Sequence, residues 1–272
     1  MKTSALERGA NYVILIIFAL IVLGPIGVIF TLALGPQSAS VAREGRAFHW
    51  ENFAEAWEVG RFSQYMLTSV TVALIVVVVA VSASILAGYA LGTMTFKGPT
   101  FIFYVFLLGI MVPTEAFIVP LYFDMRTIGL TNTVWGVAFP QIAMSIAFGT
   151  YWMRTYFRSS SRAMIEAARL DGAGSMRVLW SALVPIGRSA ILTLVLLTFM
   201  WTWNGFPIPL VMSPNGNVRT APLGLAFFQG QYTQGTALLA AGAVLVALPV
   251  VALYIFLQRH FIKGMLEGAV RE

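Results

Sequence analysis

Residues 159–185, SSSRAMIEAARLDGAGSMRVLWSALVP, form a polar, arginine-rich stretch between two strongly apolar spans. Ser159, Ser160 and Ser161 are candidates to cap a helix start, Ala167 and Ala168 are small helix formers, and Gly172 is a natural helix stop. The spacing predicts a short helix with Ala167 and Ala168 in its middle and Arg162 and Glu166 as i, i+4 neighbours. Gly172, ending it, is expected at a positive φ, which is awkward for any residue with a Cβ. A helix with a small-residue face can enter a partner's cleft closely. The plainer reading is an amphipathic loop helix facing solvent.

Composition sets the class. The 272 residues are 58% hydrophobic and only 10% charged, which no single soluble core could hide. The chain therefore reads as an all-α integral membrane protein. Its formal net charge of +6 would suit nucleic acid if it were concentrated, but the basic residues are scattered at span ends, where they act as topology signals. No nucleic-acid partner is expected. With no cysteine there is no disulfide framework, no thiolate metal site and no cysteine nucleophile.

Lys2 and Arg8 precede an apolar run over residues 12–34, long enough to cross a hydrocarbon core of about 30 Å. A signal peptide is the rival, but its apolar region would be shorter and the Ser38-Ala39-Ser40 site lies too far along, so an uncleaved anchor is expected. Residues 35–65 are polar, with Trp50, Phe53 and Trp57 at near-helical spacing, as in an amphipathic helix at the interface or a packed loop helix. Span two covers residues 66–91, with small residues Ser82, Ala83, Ser84, Ala87 and Gly88 that let membrane helices approach closely. After a turn at Phe96-Lys97-Gly98-Pro99, span three covers 101–123, interrupted by Pro113 and Pro120 with Glu115 between them. Span four covers 134–152, span five 190–212 and span six 236–257, with a polar loop from 213 to 235. Six transmembrane helices are expected.

Alternating these spans across a membrane with the N-terminus inside puts Lys2, Arg8, Lys97, Arg154, Arg158, Arg162, Arg169, Arg177, Arg188, Arg259, Lys263 and Arg271 inside. Arg43, Arg46, Arg61, Arg126 and Arg219 fall outside. This asymmetry favours both termini in the cytoplasm, and with them the loop at 159–185. Cysteines placed at Ser160 and Asn215 should then label from opposite faces.

Glu166-Ala167-Ala168, Asp171-Gly172 and the distant Pro185 stand at the spacing of the EAA loop, and the chain resembles the permease subunits of binding-protein-dependent ABC importers. Pro113, Ile118-Val119-Pro120-Leu121-Tyr122 and Ile128-Gly129-Leu130-Thr131-Asn132-Thr133-Val134-Trp135 look like the P…IPLY…GLxNT pattern of carbohydrate-importer permeases of the maltose-permease type. Trp203-Asn204-Gly205-Phe206 is similar to that family's WNxF element. The resemblance covers residues 65 to about 258. It departs from the family before the EAA, where Ser161, Ala163 and Met164 stand for I-P-x-E-L, and after it, where Ala182, Val184 and Pro185 stand for I-x-L-P.

The resemblance implies a type I ABC importer transmembrane domain with a cytoplasmic EAA coupling loop, whose Glu166, Ala167, Ala168, Asp171, Gly172 and Pro185 dock an ATPase. It implies a second permease subunit in a heterodimer, an ATPase subunit dimer carrying ATP and Mg, an extracytoplasmic solute-binding protein and a lipid bilayer. The setting is the bacterial or archaeal inner membrane. Residues 1–64 would form an anchor helix and external segment, 65–258 the transporter core and 259–272 a cytoplasmic tail. The chain itself holds no P-loop, because Lys2, Lys97 and Lys263 follow Met1, Phe96 and Ile262 instead of glycine. ATP hydrolysis belongs to another polypeptide and no cofactor is expected on this one.

Glu115 is the only ionisable residue well inside an expected span, which marks it for the translocation pathway or as a cap of a broken helix. Trp201, Trp203 and Asn204 would stack on and hydrogen-bond a sugar at a break in span five, where Pro207 and Pro209 oppose regular helix, or would form an interface belt with an interhelical amide. His49 and His260 lie on opposite sides without companion ligands, so no metal site is supported. The competing function is an ATP-independent secondary transporter with Glu115 as an intramembrane proton or ion site. A third is a membrane scaffold, which has no need of proline-broken spans.

Overall fold

A computed structural model describes residues 5–37, 48–159, 162–230 and 236–269. Ser38-Ala39-Ser40, Arg43, Arg46, Ser160, Ser161 and Arg271 lie outside the described residues. Every regular element in the described residues is helical: α1 Ala5–Ala33, α2 Glu51–Val59, α3 Phe62–Thr93, α4 Pro99–Met111, α5 Thr114–Thr127 and α6 Val134–Ser159 come first. Then follow α7 Arg162–Leu170, α8 Ser175–Ile186, α9 Arg188–Asn204, α10 Pro207–Met212, α11 Ala221–Gly230 and α12 Thr236–Ala269. Three of them, over Glu7–Ala33, Phe62–Thr93 and Thr236–Arg259, are long and apolar enough to cross a bilayer alone. Counting the bent pairs α4–α5 and α8–α9 as one span each raises that number to five.

Breaks account for two of the expected spans, while α6, the expected span four, is unbroken but less apolar than α1, α3 and α12. Span three is two helices meeting at 95°, because Pro113 holds Val112 in extended backbone and is itself extended at ψ 134°. Pro120, expected to interrupt as well, sits inside α5 without breaking it. Span five ends at Asn204, not at 212, where Gly205 turns to ψ 124°. Pro207 then opens the short helix α10 from a first-turn position, where a missing N–H costs nothing, and Pro209 lies within it. The loop expected over 213–235 contains α11, and the tail of the arginine-rich stretch is helical as α8. Within α8, residues Leu179–Leu183 widen into a π-helical turn just ahead of Pro185, whose ring would clash with the carbonyl four residues back in a regular α-helix.

The chain divides into two packing units, Met1–Ser63 with Gly224–Leu248 and Gln64–Leu223 with Pro249–Glu272. In the first, α1 exposes its apolar side chains along its length until Ala33, which is fully buried. Asn52, 1% exposed, ties the end of α1 to α2 by donating from Nδ2 to the carbonyls of Ala33 (2.8 Å) and Gly35 (2.9 Å) and accepting from Gln37 Nε2. His49 is buried with its Nδ1 2.9 Å from Glu51 Oε1. Trp50 stacks on Phe53 at the start of α2, and Phe62, the first residue of α3, stacks on Phe228 of α11.

In the second unit two cores form. One joins Val81, Ile85 and Tyr89 of α3 to Met153 and Phe157 of α6 and to Val178, Leu179 and Leu183 of α8. The other joins Val72 and Val76 to Ile118, Val137, Ile142, Ile208 and Met212. Helix α3 meets α6 along Ser84, Gly88 and Gly92, spaced by four, which face Gly149, Met153 and Phe157, also spaced by four. A Cβ on Gly88 would stand 2.6 Å from the Met153 Cβ and 2.8 Å from the Arg154 backbone nitrogen. The backbones therefore approach as closely as glycine allows.

Candidate functional site

The EAA residues lie on α7 and in the turn that ends it. The turn is a Schellman motif: Gly172 at φ +80° donates to the Arg169 carbonyl (3.0 Å) and Ala173 to that of Ala168 (2.9 Å), satisfying carbonyls the helix end leaves open. The positive φ expected of Gly172 is present. Ile165 is buried, and Met164, Ala168 and Ala173 pack with it against the core of α3, α6 and α8. Ala168, expected on the docking face, thus turns partly toward its own chain, because an amphipathic helix must bury one stripe. Glu166, Ala167, Arg169, Asp171, Gly172 and Leu170, the last 89% exposed, face outward. The Tyr89 hydroxyl, on a side chain 1% exposed, donates to the Ser175 carbonyl at the start of α8 (3.1 Å). Half-buried Pro185 lies near the far end of α8. The loop is thus pinned to α3 and α6 and displays one face.

The opposite end of α6 is fixed differently. Thr133 Oγ1 accepts from the Gly136 amide (3.1 Å) as the helix cap. Asn132, at φ +60°, donates its amide to the Met212 carbonyl (2.8 Å) and accepts from the Asn215 amide at Oδ1 (3.0 Å). Asparagine tolerates this conformation better than any β-branched residue. The G-L-T-N-T stretch is therefore a latch between the start of α6 and the end of α10, separated from α7 by the 26 residues of α6, about 39 Å of helix.

The breaks in α4–α5 and α9–α10 open a cavity of about 430 Å³, within the size range of small-molecule sites. Glu115 and Trp201 line it together, as do Gln141, Ser145, Phe148 and Thr202. Glu115 is not deep inside a continuous span: it sits exposed in the first turn of α5, where the helix dipole favours an acid. Trp201 is half exposed and meets Phe148 edge to face with centroids 4.7 Å apart. Trp203 does not line the cavity; it is 1% exposed and stacks on Phe199 at 5.4 Å. Asn204 turns back to donate to the Met200 carbonyl of its own helix (2.9 Å).

Sequence reasoning missed Gln141, Ser145 and Thr202. All three are buried, Gln141 donating to the Val137 carbonyl (3.0 Å) and Thr202 holding its hydroxyl without a hydrogen-bond partner. For two of them the signal was present as neutral polar residues four apart in an apolar helix, Gln141 and Ser145, which a search for ionisable groups passes over.

Among known proteins the chain is 34% identical over 83% of its length to the probable ABC transporter permease protein YurM of Bacillus subtilis, covering 75% of that protein. It is 32% identical to the arabinooligosaccharides transport system permease protein AraQ of Halalkalibacterium halodurans over 79% of this chain and 76% of the relative. Its fold matches, at a TM-score of 0.74 and 23% identity, a chain of the crystal structure of a bacterial ABC transporter involved in the import of the acidic polysaccharide alginate, covering 96% of this chain and 99% of that one. The model of the family described as the binding-protein-dependent transport system inner membrane component matches residues 84–267. With α7 and the cavity both inside that match, the chain belongs to this family of inner membrane permeases.

Proposed function

We propose that this chain is the permease subunit of an ATP-driven importer that takes a carbohydrate or related polyol from an external binding protein. The observation that carries the reading is the pinned display of α7: Glu166, Ala167, Arg169 and Leu170 turn outward while Ile165 and Tyr89 fix the helix and the start of α8 to the core. A rigid mounting is what a coupling element needs, since closure of an ATPase dimer must move the spans and not merely bend a loop. ATP and Mg reside on that ATPase, and a second permease subunit completes a heterodimer. Likeness to an arabinooligosaccharide permease supports the carbohydrate class.

In this reading six spans cross the membrane: α1, α3, the α4–α5 pair, α6, α9 with α10, and α12. Both termini are cytoplasmic, α7 lies on the cytoplasmic side and the Asn132–Asn215 latch outside. Residues 1–64 are the anchor and external segment, 65–258 the core and 259–272 the tail. An ATP-independent transporter built on Glu115 is not favoured, because that side chain opens a helix at a bend instead of standing alone at mid-span.

Docking is tested by Ala167→Trp and Gly172→Trp. Both should leave the chain inserted and paired with its permease partner but strip the ATPase on purification and abolish uptake. Wild-type ATPase retention and uptake for both would refute docking through α7. Leu170→Cys and Asn215→Cys, in a chain with no native cysteine, should label from opposite faces of sealed vesicles.

A further inference from the structure

We propose that the cavity between the two broken helix pairs is a solute subsite on this subunit for uncharged, hydroxyl-rich solutes, and that Glu115 turns anionic solutes away. The inference rests on the importer reading and adds the class of solute and the residue that filters it. Thr202 is 4% exposed, lines the cavity and keeps its hydroxyl buried without a partner, a cost that a turn of the side chain toward a polar solute would relieve. Gln141 spends an Nε2 hydrogen on the Val137 carbonyl, which fixes its carboxamide. Its Oε1 stands only 3.2 Å from where a Cβ on Gly205 would be, so the glycine at the break brings α9 against this acceptor. Ser145, four residues on, adds a second hydroxyl on the same helix face.

These groups suit a sugar's hydroxyls, which donate and accept in turn. Trp201, held edge-on by Phe148 and half exposed, offers an indole face for the C–H side of a ring. An anion would require a cationic partner, and none of the lining residues is lysine, arginine or histidine. The one charged group among the lining residues is the carboxylate of Glu115, whose field beside the cavity attracts cations and depletes anions. The lining therefore accepts neutral sugars and opposes uronates and phosphate esters.

The test uses the assembled importer in nanodiscs with a single cysteine, Ser145→Cys, and repeats it with Met144→Cys, also on the cavity wall, in case the first misfolds. Modification is timed with the neutral hydroxyethyl and the anionic sulfonatoethyl methanethiosulfonates, each normalised to free cysteine. The anion should react about tenfold more slowly than the neutral reagent, and Glu115→Gln should bring the two rates together. Arabinotriose and mannotriose should slow modification while the mannuronate trimer does not, until Glu115→Gln admits it. Equal reagent rates in the parent, a ratio that Glu115→Gln leaves unmoved, absence of protection by both neutral trisaccharides, or equal protection by the mannuronate would each overturn the proposal. Labelling reads this chain's own cavity, whereas failure of the importer reading registers separately as an ATPase absent from the purified complex.

Discussion

The seam between α3 and α6 and the cavity beside it are built from the same apolar alphabet to opposite ends. Along the seam, glycine and serine at every fourth position let two unbroken helices touch backbone to side chain, and Met153, Phe157 and Tyr89 fill what space remains. Across the cavity, Pro113 and Gly205 bend or end the helices, and the space is left open to Glu115, Gln141 and Trp201. The seam carries α7 and the cavity carries polar groups. The difference teaches that rigidity is concentrated where force would enter and irregular backbone where a solute would pass. Broken helices at membrane depth are tolerated because they line a cavity.

The contrast is tested most severely at Gly88. A leucine there must displace the backbone of α6 at Arg154, since even its Cβ would lie 2.8 Å from that nitrogen. Overpacking of this kind costs about 3 kcal/mol or more, and Gly88→Leu should fail to give folded, monodisperse protein on size exclusion. A seam that absorbed leucine with unchanged thermal stability would not be the rigid element described. Gly172→Ala comes next. Nothing lies within 4 Å of a Cβ at this position, so its cost is the φ of +80° alone, about 1–2 kcal/mol. Because that strain falls on the end of α7, ATPase retention should drop while the thermal midpoint of the permease barely moves.

At the other end of α6, Asn132→Ala removes the acceptor of the Asn215 amide and keeps a residue with a Cβ at φ +60°. The two losses together are about 1–2 kcal/mol. Hydrogen exchange over residues 128–136 and 213–218 should accelerate, with α7 unaffected. Faster exchange in α7 as well would mean that the two ends of α6 are not mechanically separate.

Much of this arrangement is legible in the sequence, and for physical reasons. The apolar runs declare α1, α3 and α12 because a bilayer demands about 20 apolar residues in a row. Gly172 declares the end of α7 because few residues accept its φ. The small residues of span two announce close packing, although not that Ser84, Gly88 and Gly92 meet Gly149, Met153 and Phe157 in register. What is not legible is which proline breaks its helix. Pro113 does and Pro120 does not, since the outcome depends on whether neighbours can re-satisfy the freed carbonyl, which is a tertiary matter. The same limit hid the cavity. Glu115 and Trp201 are conspicuous as residue types, but Gln141, Ser145 and Thr202 become a site only once the bends bring them to Glu115, and Trp203, as conspicuous as Trp201, turns out to fill the core.

The smallest expected effect separates the two regions most cleanly. Thr150 and Thr202 both bury a hydroxyl without a partner, Thr150 at 0% exposure beside Gly149 of the seam and Thr202 at 4% on the cavity wall. Valine matches threonine in shape, so Thr150→Val and Thr202→Val each remove only an unsatisfied polar atom, which should leave stability unchanged or raise it by up to about 1 kcal/mol. Thr150 is fully buried and does not line the cavity, so a solute has no access to it. Thr150→Val should therefore leave uptake at the parent level while its thermal midpoint holds or rises slightly. On the cavity wall a turn of the Thr202 side chain would bring its buried hydroxyl to a solute, and Thr202→Val should lower uptake severalfold, through a raised half-saturation concentration with little change in the maximal rate, at the same stability. Equal uptake by the two variants would mean that the orphaned hydroxyl of Thr202 is packing left unsatisfied and not a contact awaiting a ligand.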